Sequence, residues 1–139
     1  MPTKLFVIVH SGSPVDFAKY RHTALFCEFR DGTSALLHVT GVQGEFQFEE
    51  RTTYNPETSQ TIVRKILVAD IPDSVNAGSI RSVISTTPVK NGASYGDWNC
   101  QNYVGDALAR LVTYRYLGAS ERAAAIDEMT DAILEAEDE

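Results

Sequence analysis

The sequence is short of basic charge, thiols and long apolar runs, and each shortage excludes something. Lys and Arg number 12 against 19 Asp and Glu, a formal net charge of −7. Nucleic-acid binding draws on clustered Lys and Arg, so this balance argues against such a partner. Part of the acidity is concentrated at the end of the chain, at Glu135, Glu137, Asp138 and Glu139, so the remaining surface is less acidic than the total implies. Two cysteines, Cys27 and Cys100, do not make a disulfide framework. Reduced thiols in a cytoplasmic protein are the simpler reading. No stretch approaches the roughly 18 apolar residues of a membrane span. The run after Lys4 holds five apolar residues before His10, too short for a secretion signal. No His, Cys, Asp and Glu cluster has metal-ligand spacing, and there is no glycine-rich phosphate loop. The expectation is a cytoplasmic chain with no membrane span, metal or cofactor, acting on a small-molecule or peptide substrate.

What is present fits one ordinary globular domain over residues 1–139, large enough to bury a core without a staple. Leu5 to Val9 reads as a buried strand, and the Ser11-Gly12-Ser13-Pro14 break ends it. His22 to Phe29 and Thr33 to Thr40 are β-prone runs around Arg30-Asp31-Gly32, a hairpin signal. Glu45 to Glu49 alternates polar residues with Phe46 and Phe48. Thr53 to Ser59, with Asn55-Pro56, reads as a turn, and Gln60 to Ile71 as a further strand. Ile80, Val83 and Ile84 then follow at helical spacing until Pro88. Trp98 to Leu117 carries Val104, Ala107, Leu108, Leu111 and Val112 on one stripe, with Gly118 as its stop. Residues 119–139 read as a C-terminal acidic amphipathic helix, capped by Ser120. Strands first and helices after argue for an α+β fold, with an antiparallel sheet packed against a Cys-bearing helix.

Chemistry-bearing residues are few. Cys100 lies in Asp97-Trp98-Asn99-Cys100-Gln101-Asn102-Tyr103-Val104. With Asp97 or Asn99 as N-cap, the thiol falls in the first helical turn, where free N–H groups favour a thiolate or an oxyanion. Val104 and Leu108, four and eight residues on, point the sulfur toward the sheet. A small buried cysteine at a helix start is the plain alternative. There are three histidines, His10, His22 and His38. If Arg30-Asp31-Gly32 is a three-residue loop with Gly32 left-handed, Phe29 pairs with Thr33. His22 and His38 then share a sheet face as diagonal neighbours, roughly 7–8 Å apart. One imidazole can act as base while the other orients it. A two-residue Asp-Gly turn would put them on opposite faces. His10, ending the first strand before the Ser11-Gly12-Ser13-Pro14 loop, either approaches the site or takes a surface or capping role, and the latter is favoured.

Other residues carry two readings each. Trp98 either walls a substrate pocket or anchors the helix start in the core. Tyr20 either donates a hydrogen bond near the site or is a strand-edge tyrosine. Gln101 either orients a substrate carbonyl or faces solvent. Cys27 faces away from His22 and reads as structural, and Tyr114 and Tyr116 read as packing.

A histidine opening a strand in His22-Thr23-Ala24-Leu25-Phe26, a second histidine on the next strand, and a downstream Asn-Cys-x-x-aromatic-Val helix start resemble the circularly permuted, NlpC-related branch of the papain-like superfamily. That branch includes the lecithin:retinol acyltransferase-like proteins and the PPPDE-type isopeptidases. Its acyltransferase-like members carry His-Trp/Tyr-x-Ile/Leu-Tyr, then a second His, then Asn-Cys-Glu-His-Phe-Val. The resemblance spans residues 20 to 117 and implies a permuted papain-like fold and a cysteine hydrolase or transferase, thiol protease-like in its chemistry. It implies Cys100 as nucleophile, His22 as general base and acid, and His38 as the third polar residue. The sixteen-residue spacing of the two histidines, Thr23 in place of an aromatic, and an acidic helix where a membrane anchor is common all depart from the acyltransferase-like pattern and put lipid acyl transfer in doubt. The expectation is a thiol-dependent acyl-group enzyme. Its rivals are a small-molecule cyclase or addition enzyme using the same pocket, and a non-catalytic binding module.

Overall fold

The computed structural model describes residues 2–12, 16, 18, 21–52 and 54–136. Five strands, β1 (Thr3–His10), β2 (His22–Glu28), β3 (Ser34–Thr40), β4 (Gln47–Arg51) and β5 (Ile62–Ile71), precede three helices, α1 (Ala77–Ser85), α2 (Cys100–Thr113) and α3 (Ala119–Leu134). The sheet order is β4-β3-β2-β1-β5, and every neighbouring pair is antiparallel. The α+β class with an antiparallel sheet is the one the element order implies.

The β2–β3 turn sets the register on which the site depends. Phe29 N–H donates to Thr33 O at 2.8 Å and Gly32 N–H to Phe29 O at 3.0 Å. Gly32 has φ 88°, a left-handed value that glycine adopts without steric cost. The loop is therefore the three-residue one, and Leu25 pairs with Leu37 and Phe26 with Leu36. Alternation along the strands then divides the apolar residues. Leu25, Cys27, Leu37 and Val39 face the helices, with Leu5, Val7 and Val9 of β1. Ala24, Phe26, Ile8 and Leu36 face the other way, into a smaller cluster with Phe6, Tyr54 and Ile62. Both faces of β2 are covered, so its interior reads as a continuous buried run.

α2 is the helix that carries the thiol. Tyr103, Val104, Ala107, Leu108 and Leu111 form its buried stripe at the spacing of one helix face. It ends at Thr113, not Leu117. Tyr114 is the C-cap and Arg115 takes φ 64°, which turns the chain before Leu117 re-enters the core. α3 is capped by Gly118 and not by Ser120. The Gly118 N–H donates to Glu121 Oε1 at 2.8 Å, the half of a capping box that the third helical residue supplies. α3 ends at Leu134, and residues 137–139 of the acidic tail lie outside the described residues. Among the described residues no helix is long and apolar enough to cross a membrane.

Candidate functional site

The start of α2 is fixed by its own sequence. Asn99 is the N-cap, and its Oδ1 accepts from Gln101 N–H at 2.9 Å. Asn102 Oδ1 accepts in turn from Asn99 N–H at 3.0 Å. This reciprocal pair satisfies two orphan donors and leaves Cys100 as the first helical residue. Trp98 secures the approach. It is buried, its Nε1–H donates to Asp106 Oδ2 at 3.1 Å, and its ring stands edge-on to Phe46 and Tyr103. Of its two readings the core anchor is the one seen, and Phe46 is the aromatic that lines the cavity. Gln101 turns inward as well. Its Nε2 donates to Arg21 O at 3.3 Å, tying the helix start to the residue before His22. Arg21 is itself held, donating from Nε and Nη2 to Asp16 and from Nη1 to Ala132 O of α3. Tyr20 lies outside the described residues.

The cavity measures about 900 Å³, and its wall includes His22, His38, Asn99 and Cys100. Its rim is two loops pinned together. Gln43 Nε2 donates to Tyr95 O at 3.2 Å and Trp98 O at 2.8 Å. The Asn91 amide both accepts from Phe46 N–H at 2.8 Å and donates to Phe46 O at 3.0 Å. Gly41 begins the first loop with φ 114°, and a Cβ there would lie 2.7 Å from Glu45 O. Gly41→Ala should therefore destabilise the protein by about 2 kcal/mol, through left-handed strain and a backbone clash. Gly44, with φ 85° and open space around it, should cost about 1 kcal/mol on the same change, from strain alone. Urea unfolding of both variants checks the order.

The histidines form a row across the sheet. His22 Nε2 and His38 Nδ1 are 2.7 Å apart, and the rings are edge-on with centroids 4.9 Å apart. His38 Nε2 meets Glu49 Oε1 at 2.8 Å, because β3–β4 pairing sets His38 opposite Glu49. On the other side, His10 pairs with His22 in the β1–β2 ladder, its ring centroid 5.8 Å away, and its Nδ1 meets Thr61 Oγ1 at 2.9 Å. His10 thus extends the row. Glu49 was not expected in it, since a charge on an alternating edge strand reads as solvated. Only the pairing across β3 and β4 reveals its partner.

Burial dominates the electrostatics. It pulls His22 down to about 3, with the neighbouring imidazoles His38 and His10 acting in the same direction. It also lowers His38, against the upward pull of Glu49, and lowers His10. All three are neutral at pH 7. Burial raises the Cys100 thiol too, opposed by the backbone and hydroxyl of Thr23 and by the N–H groups of Cys100 and Gln101. Cys27, fully buried among the core residues, is pushed up to about 12.

Strand alternation decides what lies under the sulfur. His22 is on the face of Ala24 and Phe26, away from the helices, while Thr23 is on the helix side. Thr23 is fully buried, and its hydroxyl faces the Cys100 thiol, whose rise it opposes. Among the described residues no hydrogen bond joins Cys100 to His22; the two share the cavity wall at the end of β2. Thr23 is a second site residue that the sequence did not mark out, except as a departure from the aromatic of the acyltransferase-like pattern. Among the described residues no group of three or more His, Cys, Asp and Glu is placed to hold a metal ion.

Comparison with known proteins adds a family without a function. Residues 9–118 match DUF6540, a family of unknown function, and the chain belongs to it. The matched stretch contains the three histidines, Glu49 and Cys100. No curated protein and no solved structure matches the chain.

Proposed function

We propose that this member of the DUF6540 family is a thiol-dependent acyl-group enzyme with a permuted papain-like arrangement, working in the cytoplasm. The observation that carries the reading is one cavity wall holding Cys100, at the start of α2, beside a hydrogen-bonded His22–His38 pair. Cys100 Sγ attacks a carbonyl carbon, and His22 takes the thiol proton. The tetrahedral oxyanion draws on backbone N–H groups at the helix start. On collapse, His22 returns the proton to the leaving group, which departs as an amine, alcohol or thiol, and an acyl-enzyme remains. Water activated by His22 then releases the acid, or another nucleophile takes the acyl group. The substrate is an amide, peptide or thioester.

Two features of the resting site shape this chemistry. Neutral His22 and a neutral thiol mean that the proton moves during the attack and not before it. Arg21 is committed to Asp16 and Ala132, so among the described residues the cavity has no free guanidinium, and substrate recognition rests on the carboxylate of Asp97 and on uncharged lining such as Val39, Thr40 and Phe46. The direct test is intact-protein mass spectrometry after brief exposure to p-nitrophenyl acetate. The expected result is one acetyl adduct that maps to Cys100 and is absent in Cys100→Ala, with Cys27 unmodified. No adduct, or an adduct that persists in Cys100→Ala, overturns the reading.

One observation favours a second reading. Because Thr23 and not His22 lies on the thiol's side of β2, the histidine row can serve as an acid–base device for a small molecule without an acyl-enzyme, as in cyclisation or addition. In that enzyme Cys100→Ser keeps turnover while His22→Ala loses it.

A further inference from the structure

We propose that Glu49 is a positioning residue that fixes which nitrogen of His22 is the base; the inference rests on the proposed role of His22. The argument follows from donor and acceptor chemistry along the row. A carboxylate oxygen only accepts hydrogen bonds, so the 2.8 Å contact of Glu49 Oε1 places a hydrogen on His38 Nε2. His38 is neutral, held so mainly by its burial, and a neutral imidazole carries one N–H. Its Nδ1 is therefore a lone pair. The 2.7 Å contact between that nitrogen and His22 Nε2 needs one hydrogen, so His22 Nε2 supplies it. His22 is neutral as well, which leaves its Nδ1 bare. The bare nitrogen is the base, and the choice was made two side chains away.

The opposite assignment is self-defeating. A protonated His38 would donate from Nδ1 to His22 Nε2 and force the hydrogen of His22 onto Nδ1, removing the base. Burial and the charge of Arg51 hold His38 neutral against the upward pull of Glu49, so that state is not the resting one. Glu49 sits on the edge strand with its side chain 46% exposed, so its loss leaves no buried unpaired charge and should spare the fold. Glu49 does not itself line the cavity, and acts through its contact with His38.

The test reads tautomers directly and needs no substrate. Two-dimensional proton–nitrogen correlation spectra of the full chain, labelled with nitrogen-15 histidine, should at pH 7 show His22 and His38 each with a protonated Nε2 and a bare Nδ1. In Glu49→Ala both residues should become tautomer mixtures while the melting temperature stays near that of wild type. Acetylation of Cys100 should fall about 10–100-fold, by analogy with the loss when a carboxylate that orients a metal-ligating histidine is removed. Glu49→Gln, which keeps an acceptor oxygen, should restore the single tautomer and most of the rate. A hydrogen on His22 Nδ1 in wild type, or tautomers unchanged in Glu49→Ala, overturns the inference. A site in which the tautomers behave as stated but Cys100 takes no acetyl group overturns the acyl-enzyme reading alone.

Discussion

Between pH 7 and pH 4.5 the folded protein should lose several kcal/mol of stability, and His22→Gln should recover the largest single share of that loss. The sign follows from linkage. Stability rises with pH wherever the unfolded chain binds more protons than the folded one. Unfolded, His22 titrates near 6.5; folded, it titrates near 3. Between those values the unfolded chain holds a proton that the folded one does not, so stability is complete above pH 6.5 and falls as the solution is acidified toward pH 3. At pH 4.5 the gap is about two pKa units, or about 2.7 kcal/mol at 1.36 kcal/mol per unit. His10 and His38 are lowered as well and add in the same direction. Asp16, drawn down to about 2 by its bonds to Arg21 and Gly12, loses its contribution only in stronger acid. Urea midpoints at pH 7 and pH 4.5, in wild type and His22→Gln, measure the difference. Equal acid losses in the two proteins would mean that His22 protonates freely in the folded state and is not buried in the row.

The acid sensitivity and the site share one cause, and the sequence shows why only part of it was legible. The shared face of His22 and His38 was half readable: a three-residue loop with Gly32 left-handed gives it, a two-residue Asp-Gly turn does not, and the φ of Gly32 decides between them. A cap at Asp97 or Asn99 was readable, because the cap, the thiol and the apolar stripe lie within a few residues of each other, and Asn99 is the one that caps α2. Contacts between distant segments were not readable. Glu49 finds His38 only through the β3–β4 register, and nothing in Gln47-Phe48-Glu49-Glu50-Arg51 separates that glutamate from Glu50, which pairs with Arg81 instead. Thr23 meets Cys100 only because α2 crosses the helix side of β2. Trp98 was balanced between wall and core until Asp106, one helix face further on, gave its N–H a partner. The over-long reading of α2 has a local origin. Tyr116 and Leu117 continue the apolar pattern past Thr113, but Arg115 turns left-handed, a state that sequence periodicity does not register.

His22→Ala should slow acetylation of Cys100 by about 10²–10⁴-fold, the usual contribution of a positioned base, while leaving simple alkylation of the same thiol almost unchanged. The contrast follows from the protonation states of the resting site. Burial raises Cys100 and holds His22 neutral above about pH 3, so no thiolate–imidazolium pair stands ready. Iodoacetamide, which reacts with whatever thiolate is present, should therefore modify Cys100 along a curve that climbs above the ordinary thiol midpoint near 8.5. Removing His22 takes away no charge at pH 7 and should barely move that curve. Acetylation by p-nitrophenyl acetate passes through a transition state in which the thiol proton has moved to His22. It should run level from about pH 5 to pH 8, because the base is already deprotonated throughout that range. Thr23→Val, which removes the hydroxyl that opposes the rise of the Cys100 thiol, should push the alkylation curve higher still. Rapid alkylation of Cys100 well below pH 7, lost in His22→Ala, would instead demonstrate a preformed ion pair. The nucleophile would stand in that case, and the neutral resting state would be wrong. Acetylation indifferent to His22 would remove the histidine from the reaction and leave Cys100 an ordinary thiol at a helix start.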